Sequence, residues 1–317
     1  MMWTQIATHI SQVTGKPFAI KNRQSVGGGC INQGYAVSGD TGTYFVKLNQ
    51  ASQAAMFEAE ALGLKQMLAT NTIRVPQPIS CGIAGESAYI VMEWLAFGGS
   101  GNTQAWEEMG RRLAQMHRAN PSQPKQELNV GKLEIQGSNV QPSNLQPATL
   151  FGWDFNNTIG STPQINTWTS DWAGFFTEHR LGYQFRLARR RGGHFPQQDR
   201  LLAIAPKLLA HQPQPSLVHG DLWSGNAAIT KSGEPVILDP ATYVGDREVD
   251  IAMTELFGGF CAAFYRGYNE EWPLDEGYKQ RKTLYNLYHI LNHFNLFGGG
   301  YSSQANRMIE QILSSVQ

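Results

Sequence analysis

The chain has 317 residues, 41% hydrophobic and 11% aromatic, with 25 Lys and Arg against 25 Asp and Glu. That much apolar material excludes a disordered chain, and a formal charge of zero lacks the basic excess of a general nucleic-acid binder. Charged residues make up only 16%, so a charged ligand must be met by charges gathered in one place.

The length predicts about two lobes at roughly 150 residues each. Residues 3–13 read as a short helix with no basic segment or long apolar run, so no signal peptide is expected. From about Phe18 the pattern becomes β-like. Gln33–Ser38 and Thr43–Leu48 flank Gly39-Asp-Thr-Gly42, a hairpin signal. Residues 53–69 form a helix, with Met56, Leu64, Met67 and Leu68 at helical spacing, ended by Val75-Pro-Gln-Pro78. Ala88–Met92 is a buried-type strand, followed by Glu93-Trp94-Leu95, and Phe97–Asn102 is a linker. Beyond it Gln104–Ala119 is helical, 120–150 is a Pro/Gln/Asn-rich loop, and 171–191 and 197–210 are helices. Leu217–Thr230 and Pro235–Asp239 make a strand, loop and second strand, and helices dominate from Val249. The fold class is α+β: a small antiparallel-sheet N-lobe, 1–95, and a larger mainly helical C-lobe, 96–317.

Cys30, Cys81 and Cys261 form no C-x-x-C pair, which fits free thiols in a reducing compartment. No stretch approaches the roughly 20 apolar residues of a membrane span. The expectation is a cytoplasmic protein with no membrane or nucleic-acid partner.

Chemistry concentrates in Leu217-Val-His-Gly-Asp-Leu-Trp-Ser-Gly-Asn226, which sets His219, Asp221 and Asn226 in the order H-x-D-x-x-x-x-N. Phosphoryl transfer needs such a set: a carboxylate, Asp221, to accept a hydroxyl proton, and an amide oxygen, Asn226, to ligate Mg²⁺. Asp239 closes the next apolar strand, where a second carboxylate can hold the metal. Asp and Asn also favour plain turns; the full order of strand, loop, strand and Asp argues for the catalytic reading. A hydrolase has no support, because Gly98-Gly-Ser-Gly-Asn102 misses the last Gly of G-x-S-x-G.

Upstream, Gly27, Gly28 and Gly29 precede the hairpin, where backbone N–H groups can approach phosphates. Asn32 stands where G-x-G-x-x-G has its third glycine, so this signal is weak alone. Lys47 lies within an apolar strand, a position suited to pairing nucleotide phosphates and a helix glutamate. Glu60 is the chosen partner and Glu58 the alternative; about 200° apart on the helix, only one can serve. Met92, Glu93 and Trp94 lie where a kinase chain passes between its lobes and its backbone meets adenine; an ordinary edge strand is the alternative. Asp250 reads as structural, near a helix start. Cys30 reads either as a redox-sensitive thiol or as a small buried residue, and Arg186 with Arg189–Arg191 as a solvated basic helix end.

At these residues the sequence resembles the fructosamine/ketosamine kinases, a branch of the aminoglycoside-phosphotransferase-like kinases, over nearly its whole length. The resemblance rests on His219–Asn226, Asp239-Pro-Ala241, Val244–Ala252, Leu256–Phe260, Gly27–Cys30, Met56–Glu60 and Leu113–His117. Trp-Ser within the loop, and Gly160–Trp168 through Asp171-Trp172 and Phe176–Arg180, favour the ketosamine branch. It implies a bilobal protein-kinase-like fold and ATP- and Mg²⁺-dependent phosphorylation of the O3 hydroxyl of fructosyl- or ribulosyl-amines, free or on protein lysines. The unstable 3-phosphate then eliminates, which repairs glycation. Trp223 becomes a wall for the sugar or a core residue, and His219 a loop support, with substrate contact as its other role. The rivals are an aminoglycoside, choline or sugar kinase of the same fold, and an inactive nucleotide-binding scaffold.

Overall fold

The structure is a computed structural model that describes residues 2–27, 32–99, 102–119 and 150–316. The sequence signals at Gly28, Gly29 and Cys30, and most of the 120–150 loop, lie outside the described residues.

The N-terminal part runs α1 (Met2–Thr14), β1 (Asn22–Val26), β2 (Gln33–Gly39), β3 (Gly42–Gln50), α2 (Ala54–Ala69), β4 (Pro78–Ala84) and β5 (Ser87–Glu93). Its five strands pair antiparallel in the order β1-β2-β3-β5-β4. Strand alternation assigns the two faces. Val46, Tyr89 and Val91 pack with Ile6 and Ile10 of α1. Ala88, Ile90 and Met92 share a cluster with Phe57, Leu64 and Met67 of α2. Lys47, between Val46 and Leu48, therefore points to the α2 side. The hairpin forms as expected, with Gly39 opposite Gly42 and Asp40-Thr41 at the turn. Strand β4 was not foreseen, because Pro78 and Gly82 weaken its signal; it is tolerated as an edge strand with proline at its first position.

The remainder begins with α3 (Thr103–Arg118), capped by the Asn102 side chain, which accepts from Ala105 N–H at 2.8 Å. A short hairpin, β6 (Asn157–Ile159) and β7 (Thr162–Gln164), follows. Next come α4 (Trp172–Phe175), a π-helical stretch at Phe176–Gly182, α5 (Tyr183–Arg190) and α6 (Gln198–Leu208). The strands β8 (Pro215–Val218), β9 (Ala227–Ile229), β10 (Pro235–Ile237) and β11 (Tyr243–Asp246) make two antiparallel pairs, β8 with β11 and β9 with β10. The chain finishes with α7 (Glu248–Thr254), α8 (Ala262–Glu271), α9 (Tyr278–Phe297) and α10 (Tyr301–Ser314).

The two parts are tied at defined points. A Cβ on Gly63 would lie 2.6 Å from Thr242 Oγ1, so α2 rests directly on the segment after Asp239. Trp153 Nε1 donates to Gln66 Oε1 at 2.8 Å. The stretch read as a linker is docked at its start: Lys231 N–H donates to Ala96 O at 2.9 Å, and a Cβ on Gly99 would lie 2.0 Å from Thr230 O. Among the described residues, no helix is long and apolar enough to cross a membrane.

Candidate active site

A cleft of about 710 Å³ opens where the sheet, the β8–β11 region and α9 meet. It is lined by Gly27, Lys47, Glu60, Met92, Glu93, Trp94, Asp221, Trp223, Asn226 and Asp239, so residues up to 212 positions apart in sequence (239 − 27) converge there.

Lys47 is buried, and its Nζ donates to Glu60 Oε1 at 2.7 Å. The same ammonium contacts Asp239 Oδ1. This geometry selects Glu60 over Glu58. Asp239 holds a left-handed backbone, φ 60°, which is costly for a side-chain-bearing residue and marks a functional turn.

The catalytic-loop sequence is built around contacts that its residue types dictate. Gly220 has φ +81°, and a Cβ there would lie 2.2 Å from Ala241 O, so only glycine fits. Asp250, fully buried, accepts from His219 N–H at 2.7 Å, from Gly220 N–H at 2.8 Å and from His117 Nε2 at 3.0 Å. Burial works against its charge, but the hydrogen bonds from His117 and the Gly220 N–H hold the carboxyl below its ordinary range. Asp250 is thus structural, as expected: it lies in the first turn of α7, and the backbone N–H groups it accepts from belong to the catalytic loop.

The sequence reading of His219 as a substrate contact is corrected. Its ring is fully buried: Nε2 donates to Leu238 O at 2.9 Å and Nδ1 accepts from Asp221 N–H at 3.2 Å. Burial pushes its pKa down to about 4, so it is a neutral tie between the loop and the strand that leads to Asp239.

Asn226 Nδ2 donates to Asp221 O at 2.9 Å and to Asp221 Oδ2 at 3.3 Å, and lies 3.5 Å from Asp239 O. Its Oδ1 accepts no hydrogen bond among the described residues, and it is available as a hard oxygen ligand beside the Asp239 carboxylate. Glu60, Asp221 and Asp239 set three carboxylates against the single Lys47 ammonium. An anionic polyphosphate needs a cation to enter such a site, so the donor set fits Mg²⁺. Burial, aided by the Asp250 charge and opposed by the Asn226 bond, raises Asp221 to about 7.

At the inter-lobe strand, Met92, Glu93 and Trp94 all line the cleft. Glu93 N–H donates to Gln77 O at 2.9 Å, and its carboxylate pairs with Arg74 at 2.6 Å. Any bond from Glu93 to a base must therefore use its carbonyl. Trp223 packs edge-on against Phe257 at 6.4 Å, and a Cβ on Gly225 would lie 2.4 Å from its ring. It remains part-exposed, a wall of the cleft rather than a core residue.

Sequence reasoning missed the β6–β7 hairpin and α9 as site elements. Gln164 Nε2 donates to Ala241 O at 3.0 Å, and Asn157 Nδ2 to Thr242 O at 2.8 Å, which fixes the segment after Asp239. The Pro-Gln-x-Asn pattern at 163–166 was the available signal. Arg186 and Arg189–Arg191 are exposed, as expected of a solvated helix end, and Arg191 also donates to the Asn295 and Leu296 carbonyls and caps the end of α9.

A sheet-borne Lys–Glu pair above a loop that carries an Asp, an Asn and a second Asp defines a phosphotransferase of protein-kinase-like fold. The fructosamine kinase family model matches residues 2–315, and the chain belongs to that family. It is 57% identical to a "Probable ketoamine kinase" of Synechocystis sp., over 98% of this chain and 97% of the relative. It is 46% identical to the chloroplastic "Protein-ribulosamine 3-kinase" of Arabidopsis thaliana, over 94% of this chain and 85% of the relative. A crystal structure from Haemophilus somnus 129PT, described as a "Putative fructosamine-3-kinase", superposes with a TM-score of 0.84 at 30% identity, covering 98% of both chains.

Proposed function

We propose that this protein transfers the γ-phosphoryl group of ATP to the O3 hydroxyl of ketosamines, fructosyl- or ribulosyl-amines free or on protein lysines, as the first step of deglycation. The observation that carries this reading is the convergence of Asp221, Asn226, Asp239 and the Lys47–Glu60 pair on one cleft. The ketoamine and ribulosamine kinases among its relatives support the substrate class.

In this mechanism Asp221 orients the O3 hydroxyl and takes its proton as the O3–P bond forms and the bond to the ADP oxygen breaks. Asn226 Oδ1 and the Asp239 carboxylate hold the metal. Bound Mg²⁺ supplies charge neutralisation at the phosphate oxygens. Lys47, aimed by Glu60, holds the α- and β-phosphates, with Gly27 at the same cleft. Met92, Glu93 and Trp94 flank the adenine, and Trp223 walls the sugar. Catalysis is mainly positioning and electrostatics, because the charge of a loose transition state lies on phosphate oxygens. The lobe boundary lies between residues 95 and 96, and the protein acts in the cytoplasm.

Charge favours a sugar adduct over an aminoglycoside. Among the described lining residues, the charged ones are Lys47, Glu60, Glu93, Asp221 and Asp239. The α9 wall offers no carboxylate to a polycation. The test is ADP release with ribulosyl-lysine, fructosyl-lysine, choline and kanamycin. Turnover with the ketoamines supports the reading; no ADP with either of them refutes it.

A further inference from the structure

Helix α9 lays one stripe along the cleft, composed of His289, Asn292, His293, Leu296 and Phe297, the spacing of a single helix face. Two of its polar side chains are already engaged. Asn292 Nδ2 donates to Ile159 O at 3.3 Å, and its Oδ1 accepts from Gln184 Nε2 at 3.3 Å. His293 Nδ1 donates to His289 O at 2.8 Å, and its ring sits 4.8 Å from Phe257 and 5.1 Å from Tyr301.

His289 is different. Its residue surface is 4% exposed, and it lines the same cleft as Asp221 and Trp223. Neither ring nitrogen has a hydrogen-bond partner among the described residues; the ring's neighbour is Tyr288, edge-on at 5.0 Å. The ring nitrogens are not sealed off by protein, so the cleft is where a partner can reach them. Burial, with the charges of His293 and Arg180, pushes its pKa down to about 3, so the ring is neutral and offers one donor and one acceptor. A sugar hydroxyl can accept from the ring N–H or donate to the bare nitrogen, so it suits either side of the ring, whereas a phosphate can use the N–H alone.

We propose that His289 is a substrate-binding residue that hydrogen-bonds a hydroxyl of the ketose chain and so presents O3 to Asp221. This rests on the cleft being a ketoamine site. The role is distinct from that of Trp223, which offers a face for stacking, because the imidazole fixes the direction of a hydroxyl.

The test compares wild type, His289→Phe and His289→Gln in the full chain. ADP release is measured against ribulosyl-lysine and against ATP, with binding of a fluorescent ATP analogue as the check on folding. Loss of one neutral hydrogen bond predicts that His289→Phe raises KM for the ketoamine by about fivefold to tenfold, with KM for ATP changed by less than about twofold. His289→Gln, which keeps a donor and an acceptor, recovers most of the loss. An unchanged ketoamine KM in His289→Phe overturns the proposal, as does an equal rise in both KM values or a Gln variant no better than Phe. Loss of nucleotide binding in both His289→Phe and His289→Gln shows a packing role and also overturns it. Wild type that turns over no ketoamine removes the functional reading and this inference together. Wild type that is active beside an indifferent His289→Phe removes the inference alone.

Discussion

At the Lys47–Asp221 end of the cleft, charges meet at short range and their supports are buried. Lys47 meets Glu60 and Asp239, Asn226 bonds Asp221, and Asp250 holds the loop backbone from beneath. At the α9 end the lining is neutral and aromatic, with Phe257, His293, Phe297 and Tyr301 in ring contact and the His289 nitrogens without a hydrogen-bond partner among the described residues. The difference fits the chemistry of the two proposed substrates. Phosphoryl transfer requires rigid, preorganised charge. A polyhydroxylated, largely uncharged sugar requires shape and a few directional polar groups.

Replacing Asp221 breaks the charged end most severely. Asp221→Ala is expected to lower kcat by about 10²–10⁴-fold, the usual share of a positioned general base. Steady-state kinetics should show this with little change in KM for ATP, because the nucleotide contacts remain. Equal loss in both parameters would place Asp221 in nucleotide binding instead.

Asp250 tests whether buried support, and not only charge in the cleft, defines this end. Asp250→Ala leaves His219 N–H, Gly220 N–H and His117 without their acceptor, which predicts a loss of about 3 kcal/mol or more. Thermal melting should fall by roughly 5 °C or more. A variant that melts like wild type would show that the loop does not depend on this brace.

The pH profile sharpens the comparison, because the titrating group belongs to the charged end. Asp221 must be a carboxylate to take a proton, and burial raises it to about 7 in the free protein. The expected kcat/KM therefore falls about tenfold per unit as pH drops below 7. Bound Mg²⁺ favours the carboxylate, so the acid limb of kcat should lie at lower pH than that of kcat/KM. His289 and His219, held neutral by burial, should add no further limb above pH 5.

Legibility in the sequence divides along the same line. Lys47, Glu60, Asp221, Asn226 and Asp239 were readable because each sits on a strand, a helix or a loop of fixed spacing. Helical geometry limited the partner to one of Glu58 and Glu60, and the structure selects Glu60, the chosen one, with a 2.7 Å bond. The supports were less legible. Asp250 reaches back 31 residues to His219, and no local pattern encodes such a contact. Helix α9 gave no usable stripe, because Leu284–Asn292 is buried without interruption and amphipathic periodicity vanishes in a helix enclosed on all sides. Of the two roles given to His219, loop support holds and substrate contact does not, because its ring is buried and both nitrogens are engaged.

The most direct measurement is ³¹P NMR of the product formed from ATP, Mg²⁺ and ribulosyl-lysine, recorded before elimination. The account predicts a phosphate ester on O3 of the ketose, followed by release of inorganic phosphate and free lysine. A phosphate on any other atom, or no phosphorylated ketoamine while ADP accumulates with choline or kanamycin, would contradict it.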